Sequence, residues 1–501
     1  MQREKLLKTL DTTPVWDIVI IGGGATGLGA ALDAADRGYK TLLIEQSDFG
    51  KGTSSKSTKL IHGGVRYLEQ GNFRLVKEAL DERAHMLRNA KSCTSKVDFV
   101  LPVYSLWKLL YYYIGLKIYE WMSGSQSIGK TKILSKESVM RQLPGIKTEA
   151  LQGGVLYHDG QFDDSRFCIL IARTAVEKGA SILNYTSCTG FEYDNGLIKS
   201  VKFTDLIHQK DYMVSTRTVI NATGAFADHI LRLDNPLHTD LISPSLGIHI
   251  VTDKTIGVDR YGLLIPRTSD GRVLFAIPWM DKIIIGTTDS SVEHIDYDPE
   301  VPASDVQFIL KNINRYLEKP LEEKDIKSVF AGTRPLVKGA SHDKTSSLPR
   351  DHNIIVSASG MVSVVGGKWT TYRKMAEDVI NITAEKGGLF PAECRTKDIS
   401  LDNHPDRPDG AGLNGNTQKI HPTYPYTWAD VDHAIKQEMA VTLEDVLARR
   451  LRLLFLDTKA AEECMGDVAE YMQKELKQPD AWKSQQIRLF SESIRKHQIN
   501  P

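Results

Sequence analysis

The stretch from Val15 to Glu45 constrains this chain more than any other: apolar run, glycine turn, small-residue helix, second apolar run, acid. Ile18-Val19-Ile20-Ile21 reads as a buried strand, and Gly22-Gly23-Gly24-Ala25-Thr26-Gly27 follows as a G-x-G-x-x-G turn. Ala30 to Arg37 continues as a helix that Gly38 ends, and Thr41-Leu42-Leu43-Ile44 returns as strand two before Glu45. Backbone geometry supplies the meaning. Gly22 permits the tight turn, Gly24 admits a pyrophosphate to the main chain, and Gly27 lets helix and strand approach. The phosphates then meet unpaired N–H groups at a helix N-terminus. Glu45 stands at the spacing of an acid that binds a ribose hydroxyl. A dinucleotide site in an α/β protein is therefore expected.

Charge narrows the ligand. Lys plus Arg and Asp plus Glu both number 63, so no overall field recruits nucleic acid, and any anion must be caught locally. Cys93, Cys168, Cys188, Cys394 and Cys464 are scattered without C-x-x-C spacing, which speaks for a reducing compartment and against a zinc site or redox dithiol. The first sixteen residues mix acids and bases and read as neither a secretory signal nor a transit peptide. Phe99 to Met122 is the most apolar region, but Pro102, Lys108, Lys117 and Glu120 interrupt it, so a spanning helix is not expected. Its aromatic residues and flanking lysines suit either a packing helix or a membrane interface.

Strands and helices alternate through about residue 385. Thr218-Val219-Ile220-Asn221-Ala222-Thr223-Gly224 is a second strand leading into a turn where backbone could approach a cofactor, and Gly366-Gly367-Lys368 follows a third. Nucleotide-binding segments are expected at about 15–95, 150–235 and 350–385, with β-rich substrate segments at about 96–149 and 236–349. Residues 386–426 read as a linker and 427–501 as a separate helical domain, in which Thr442 and Asp445 form a capping box. Arg449, Arg450 and Arg452 read as a solvated helix face.

Several separate segments carry a resemblance. Thr53-Ser54-Ser55-Lys56-Ser57-Thr58-Lys59-Leu60-Ile61-His62-Gly63-Gly64-Val65-Arg66-Tyr67-Leu68 follows the glycine turn. Ile277-Pro278-Trp279, Ile285-Gly286-Thr287-Thr288-Asp289, Gly332-Thr333-Arg334-Pro335-Leu336 and Gly366-Gly367-Lys368-Trp369-Thr370-Thr371-Tyr372-Arg373 follow in order. Together they resemble the FAD-dependent glycerol-3-phosphate dehydrogenases over about Asp17 to Ile380. Trp369 departs from the pattern, where a smaller aliphatic residue is expected. The resemblance implies a glutathione-reductase-like, Rossmann-type FAD fold with an interleaved substrate (cap) domain and a C-terminal helical domain. It implies non-covalent FAD and oxidation of sn-glycerol 3-phosphate to dihydroxyacetone phosphate, with electrons passing to membrane quinone. The chain looks too short for the insertion of the oxygen-using oxidases. A cytoplasmic protein attached peripherally to the inner face of the cell membrane follows, without nucleic acid, and a homodimer is compatible with it.

The same resemblance assigns roles. Arg66, Arg334, Arg350 and Lys368 are the basic residues for a phosphate, which an arginine fork suits. His62 and His249 are the candidates to take the hydroxyl proton; His249 is preferred, supported by Arg334, and His62 is placed against the flavin. Tyr67 contacts substrate or orients a base. Thr53, Ser54 and Ser57 bond the cofactor, and Leu60, Gly224 and Thr370 lie beside it. Two rivals remain at this point: an amino-acid or hydroxy-acid oxidase, with a carboxylate clamp and no phosphate pocket, and a flavoprotein that binds RNA or a partner.

Overall fold

A computed structural model of the protein describes residues 1–69, 71–254, 257–338, 352–402 and 416–499. Ile18, Val19 and Ile20 are wholly buried, as a strand covered on both faces requires. Trp16–Ile21 runs parallel to Thr41–Ile44 on one side and to Lys210–Asn221 on the other. The sheet order is His352–Val356, Val362–Gly366, Lys210–Asn221, Trp16–Ile21, Thr41–Ile44, Ser181–Leu183; only the first of these is antiparallel to its neighbour. The helices Ala25–Asp36, Asp164–Glu177 and Tyr372–Lys386 pack together beside it. Strand order reverses at Trp16–Ile21, so a crevice opens outside the carboxyl ends of the central strands. This is the expected α/β architecture.

The second sheet runs Ser290–Ser291, Ile242–Asp253, Lys282–Gly286, Leu274–Trp279, Gly262–Ile265, Thr94–Val103, Gly153–Phe162, Leu60–Ile61. Ile326–Val337 also pairs with Ile242–Asp253. Leu60–Ile61 and Gly153–Phe162 fall inside segments read as nucleotide-binding, yet they hydrogen-bond here. Pairing partners leave no mark in a strand's own residue pattern, so the chain alternates between sheets more finely than those boundaries.

The helix Leu106–Met122 buries Leu116 and Tyr119 but leaves Trp107 84% and Trp121 81% exposed, with Leu106, Leu110, Tyr111, Ile114 and Ile118 also exposed. No helix among the described residues is long and apolar enough to cross a membrane.

The C-terminal helices Trp428–Glu438, Thr458–Glu475 and Asp480–Lys496 do not stand apart. Val446, Leu447, Leu451 and Leu454 share one apolar core with Phe99, Tyr157, Ile277, Trp279 and Phe330 of the second sheet. Leu401, Tyr424 and Tyr426, read as linker, are buried, whereas 403–415 lie outside the described residues. Thr442 and Asp445 exchange reciprocal bonds, side chain to N–H, at 3.2 and 2.9 Å. The turn they open, Asp445–Arg450, is π-helical. Its arginines correct the sequence reading: Arg449 and Arg450 are 2% and 1% exposed, and buried carboxylates hold them there.

Candidate active site

The three glycine turns, far apart in sequence, meet. Gly22, Gly24, Glu45, Gly224, Gly366, Gly367 and Lys368 all line one cavity of about 340 Å³ at the strand ends. Gly22 has φ +112°, and a Cβ there would stand 2.6 Å from the Ala222 carbonyl oxygen. A Cβ on Gly27 would stand 1.9 Å from the Gly22 oxygen, which is why helix and strand can close here. Gly24, Ala25 and Thr26 bring the N-terminus of Ala25–Asp36 to the cavity, where first-turn N–H groups lack intrahelical acceptors. Glu45 accepts N–H bonds from Gly23 at 2.6 Å and Ser47 at 2.8 Å. Burial pushes its carboxyl above the ordinary value while those N–H groups pull the other way. Thr53 and Ser54 complete the wall, and Ser54 Oγ accepts the Ala25 N–H at 3.0 Å. Trp369, the departure from the family pattern, donates its indole N–H to the Ser54 carbonyl at 2.8 Å and is ringed by Phe162, Phe167 and Tyr372. The anion-binding helix end, the acid and the side-chain-free cradle fit the nucleotide half of FAD.

A second cavity of about 500 Å³ adjoins the first: Arg334 lines it, and the next residue, Pro335, lines the nucleotide cleft. Thr58, Leu60, His62, Tyr67, Phe275, Thr287 and Asp289 lie around it. Glycines on the sheet face make room for long side chains. A Cβ on Gly247 would collide with the Arg334 guanidinium, and one on Gly286 with the His249 ring. Arg334 Nη2 donates to Thr287 Oγ1 at 2.8 Å, and Nη1 stands 3.5 Å from the Asp289 carboxylate. The Lys368 ammonium lies 3.8 Å from the centre of the Tyr67 ring, which joins the two cavities. His62 donates its backbone N–H to Thr370 Oγ1 at 3.4 Å; Thr370 is therefore a support behind the wall rather than part of it.

His249, the preferred candidate to take the hydroxyl proton, lines neither cavity. It is buried behind Thr58, with Nε2 2.8 Å from Thr58 Oγ1 and its ring stacked on Phe330. Burial, then the charges of Arg334 and Lys59, hold its pKa well below the ordinary histidine value, so the imidazole is neutral. Ser57 also turns away from the cleft and donates to Asp164 at 2.7 Å. Arg66 lies on the short helix Val65–Glu69, and Arg350 lies outside the described residues. Thr58, which sequence reasoning does not single out from the neighbouring hydroxyls, is the one that lines the cavity and meets His249. No local signal marks it: the chain is irregular here, with Lys59 at φ +60°, so strand alternation does not apply.

Comparisons with known proteins agree with this geometry. A model of FAD dependent oxidoreductases matches residues 17–373, and one of the C-terminal domain of alpha-glycerophosphate oxidase matches 395–486. The mitochondrial glycerol-3-phosphate dehydrogenase of Homo sapiens is 36% identical over 97% of this chain and 74% of its own length. That of Saccharomyces cerevisiae is 38% identical over 80% and 68%. The solved glycerol-3-phosphate dehydrogenase from Bacillus halodurans, complexed with FAD, is 26% identical, with a TM-score of 0.79 over 99% of this chain and 97% of that one. L-alpha-glycerophosphate oxidase from Mycoplasma pneumoniae, at 15% identity and a TM-score of 0.58, shares the fold. With its glycine cradle, its two neighbouring cavities and this likeness along nearly its whole length, the chain belongs to the family of FAD-dependent glycerol-3-phosphate dehydrogenases.

Proposed function

We propose that the protein oxidises sn-glycerol 3-phosphate to dihydroxyacetone phosphate and passes the electrons to a membrane quinone. One observation carries the reading. A cavity lined by an arginine and by a hydroxyl backed by a neutral histidine lies beside the nucleotide cleft, whose lysine stands over a tyrosine of the cavity wall. Bound FAD supplies the acceptor for the C2 hydride. The chain's own groups do the rest. Arg334 and Lys368 hold the phosphate dianion, and the fork of Arg334 fixes its orientation. The C2 hydroxyl proton leaves by way of Thr58 to His249, whose neutral imidazole keeps a nitrogen lone pair to receive it. His62 and Tyr67 flank the reacting carbon.

The quinone acceptor is supported by the helix Leu106–Met122. Its Tyr111, Tyr112, Ile114 and Ile118 line the same cavity as His62 and Arg334, while Trp107 and Trp121 project from the molecule. An apolar surface of this kind fits the membrane interface, and it gives a lipid-soluble oxidant a short way in. The test is anaerobic. Glycerol 3-phosphate should bleach the yellow flavin, whereas glycerol and glycine should not. A short-chain quinone should then restore the colour faster than oxygen does. Bleaching by glycine, or none by glycerol 3-phosphate, would discard the reading.

A further inference from the structure

We infer that the C-terminal helical region is part of the flavin-binding apparatus: through Arg449 and Glu444 it positions the loop 46–54 that walls the nucleotide cleft. The inference rests on that cleft being the FAD site. Gln46, Gly50, Lys51, Gly52, Thr53 and Ser54 line it, and the only regular backbone in this loop is the start of the short turn Thr53–Ser55. The side-chain hydrogen bonds of Asp48 and Lys51 in this loop reach about 400 positions along the chain.

Asp48, fully buried, accepts from Arg449 Nε at 2.6 Å and from both terminal nitrogens of Arg450 at 2.7 and 2.8 Å. Glu444 accepts from Lys51 Nζ at 3.0 Å and from Arg449 Nη1 at 2.6 Å. The remaining edge of Arg449 reaches Asp445 at 2.6 Å. Tyr185 completes the frame: its hydroxyl donates to Asp445 at 2.7 Å and its N–H to the Ser47 carbonyl at 2.9 Å. Adjacent arginines reach a single carboxylate from a π-helical turn, a rare conformation often found at functional sites.

Stability alone does not account for such a cluster, since apolar residues of similar volume would serve as well. A loop that must hold one shape against a ligand does. Arg449 and Glu444 line neither cavity, so they are positioning residues, acting on flavin only through the loop.

The experiment compares wild-type holoenzyme with Arg449→Met and Glu444→Gln. Release of FAD is followed by the rise in flavin fluorescence, well below the melting temperature, beside thermal melts of the holo and apo forms. Release about tenfold faster in Arg449→Met, and a smaller acceleration in Glu444→Gln, are expected. Added FAD at saturating concentration should restore turnover. Release rates equal to wild type, or holo and apo melts that fall together with no change in release, would overturn the proposal. Should Arg449→Met fail to fold, Glu444→Gln decides, because it keeps the side chain's shape; unchanged release there is a refutation. A wild-type protein that takes up no FAD would overturn the cofactor assignment itself, and this proposal with it.

Discussion

Arg334 is braced before any ligand arrives, by the Thr287 hydroxyl on one nitrogen and Asp289 beside another. A guanidinium so held loses little freedom on meeting a phosphate. Replacing it with alanine should remove about 1.5–3 kcal/mol of charge-assisted bonding, raising KM for glycerol 3-phosphate roughly ten- to a hundredfold. Steady-state kinetics with a quinone-analogue dye, at unchanged flavin content, provide the check. His249 makes a prediction in pH. Its folded pKa lies well below that of the unfolded chain, about 6.5. The unfolded state therefore binds more protons as pH falls below that value, and stability conferred by the neutral ring is progressively lost. His249→Gln should flatten the decline of Tm between about pH 6.5 and 5; an unaltered slope would mean the native ring is already charged. These residues were not equally legible. Gly22, Gly24, Glu45 and Gly224 declare themselves because the chemistry of a turn is local, and Arg334 and Lys368 because they stand inside recognisable segments. Thr58 and Arg449 do not, since their meaning lies in partners 191 and 401 positions away.

Elements were read well where one period rules the segment. The spacing of Leu75, Val76, Ala79, Leu80, Met86 and Leu87 marks one helix face, and all but the half-buried Leu87 are buried on the helix Phe73–Asn89. The helix Leu106–Met122 is harder, because apolar residues surround it and periodicity cannot separate a packed face from an exposed one. The outward face gives its own test. Leu106 and Leu110 are exposed, so changing both to serine should leave the fold intact. If they enter lipid, each loses up to about 1.5–3 kcal/mol of transfer energy. Flotation with phospholipid vesicles should then show binding weakened roughly tenfold or more; equal flotation would remove this helix from the membrane surface. The π-helical turn defeats the sequence altogether: Arg449, Arg450 and Arg452 have the composition of a wet surface, and only the acids opposite them make burial affordable.

At the scale of the molecule, those acids join the chain's two ends. Burial alone would raise the Asp48 pKa, but Arg450 and Arg449 prevail and hold it below the usual carboxylate range. Its contribution is thus complete above about pH 4 and is lost as pH falls below that. Asp48→Asn should cost about 3–5 kcal/mol in urea unfolding at neutral pH, because the buried Arg450 loses its bidentate counter-charge and Arg449 one of its three carboxylate partners. A cost under about 1 kcal/mol would instead describe an ordinary exposed pair. Domain boundaries drawn along the sequence miss this closure, since loop, sheets and final helices are stitched by contacts between distant residues. The scattered origin of the cleft walls has a consequence for biosynthesis. On the ribosome, the turn at Gly22 emerges hundreds of residues before Gly366 and the arginines of the last helical region. A nascent chain has no completed grip for its yellow pigment until translation is nearly over, which makes flavin capture a closing step of maturation rather than a seed for it.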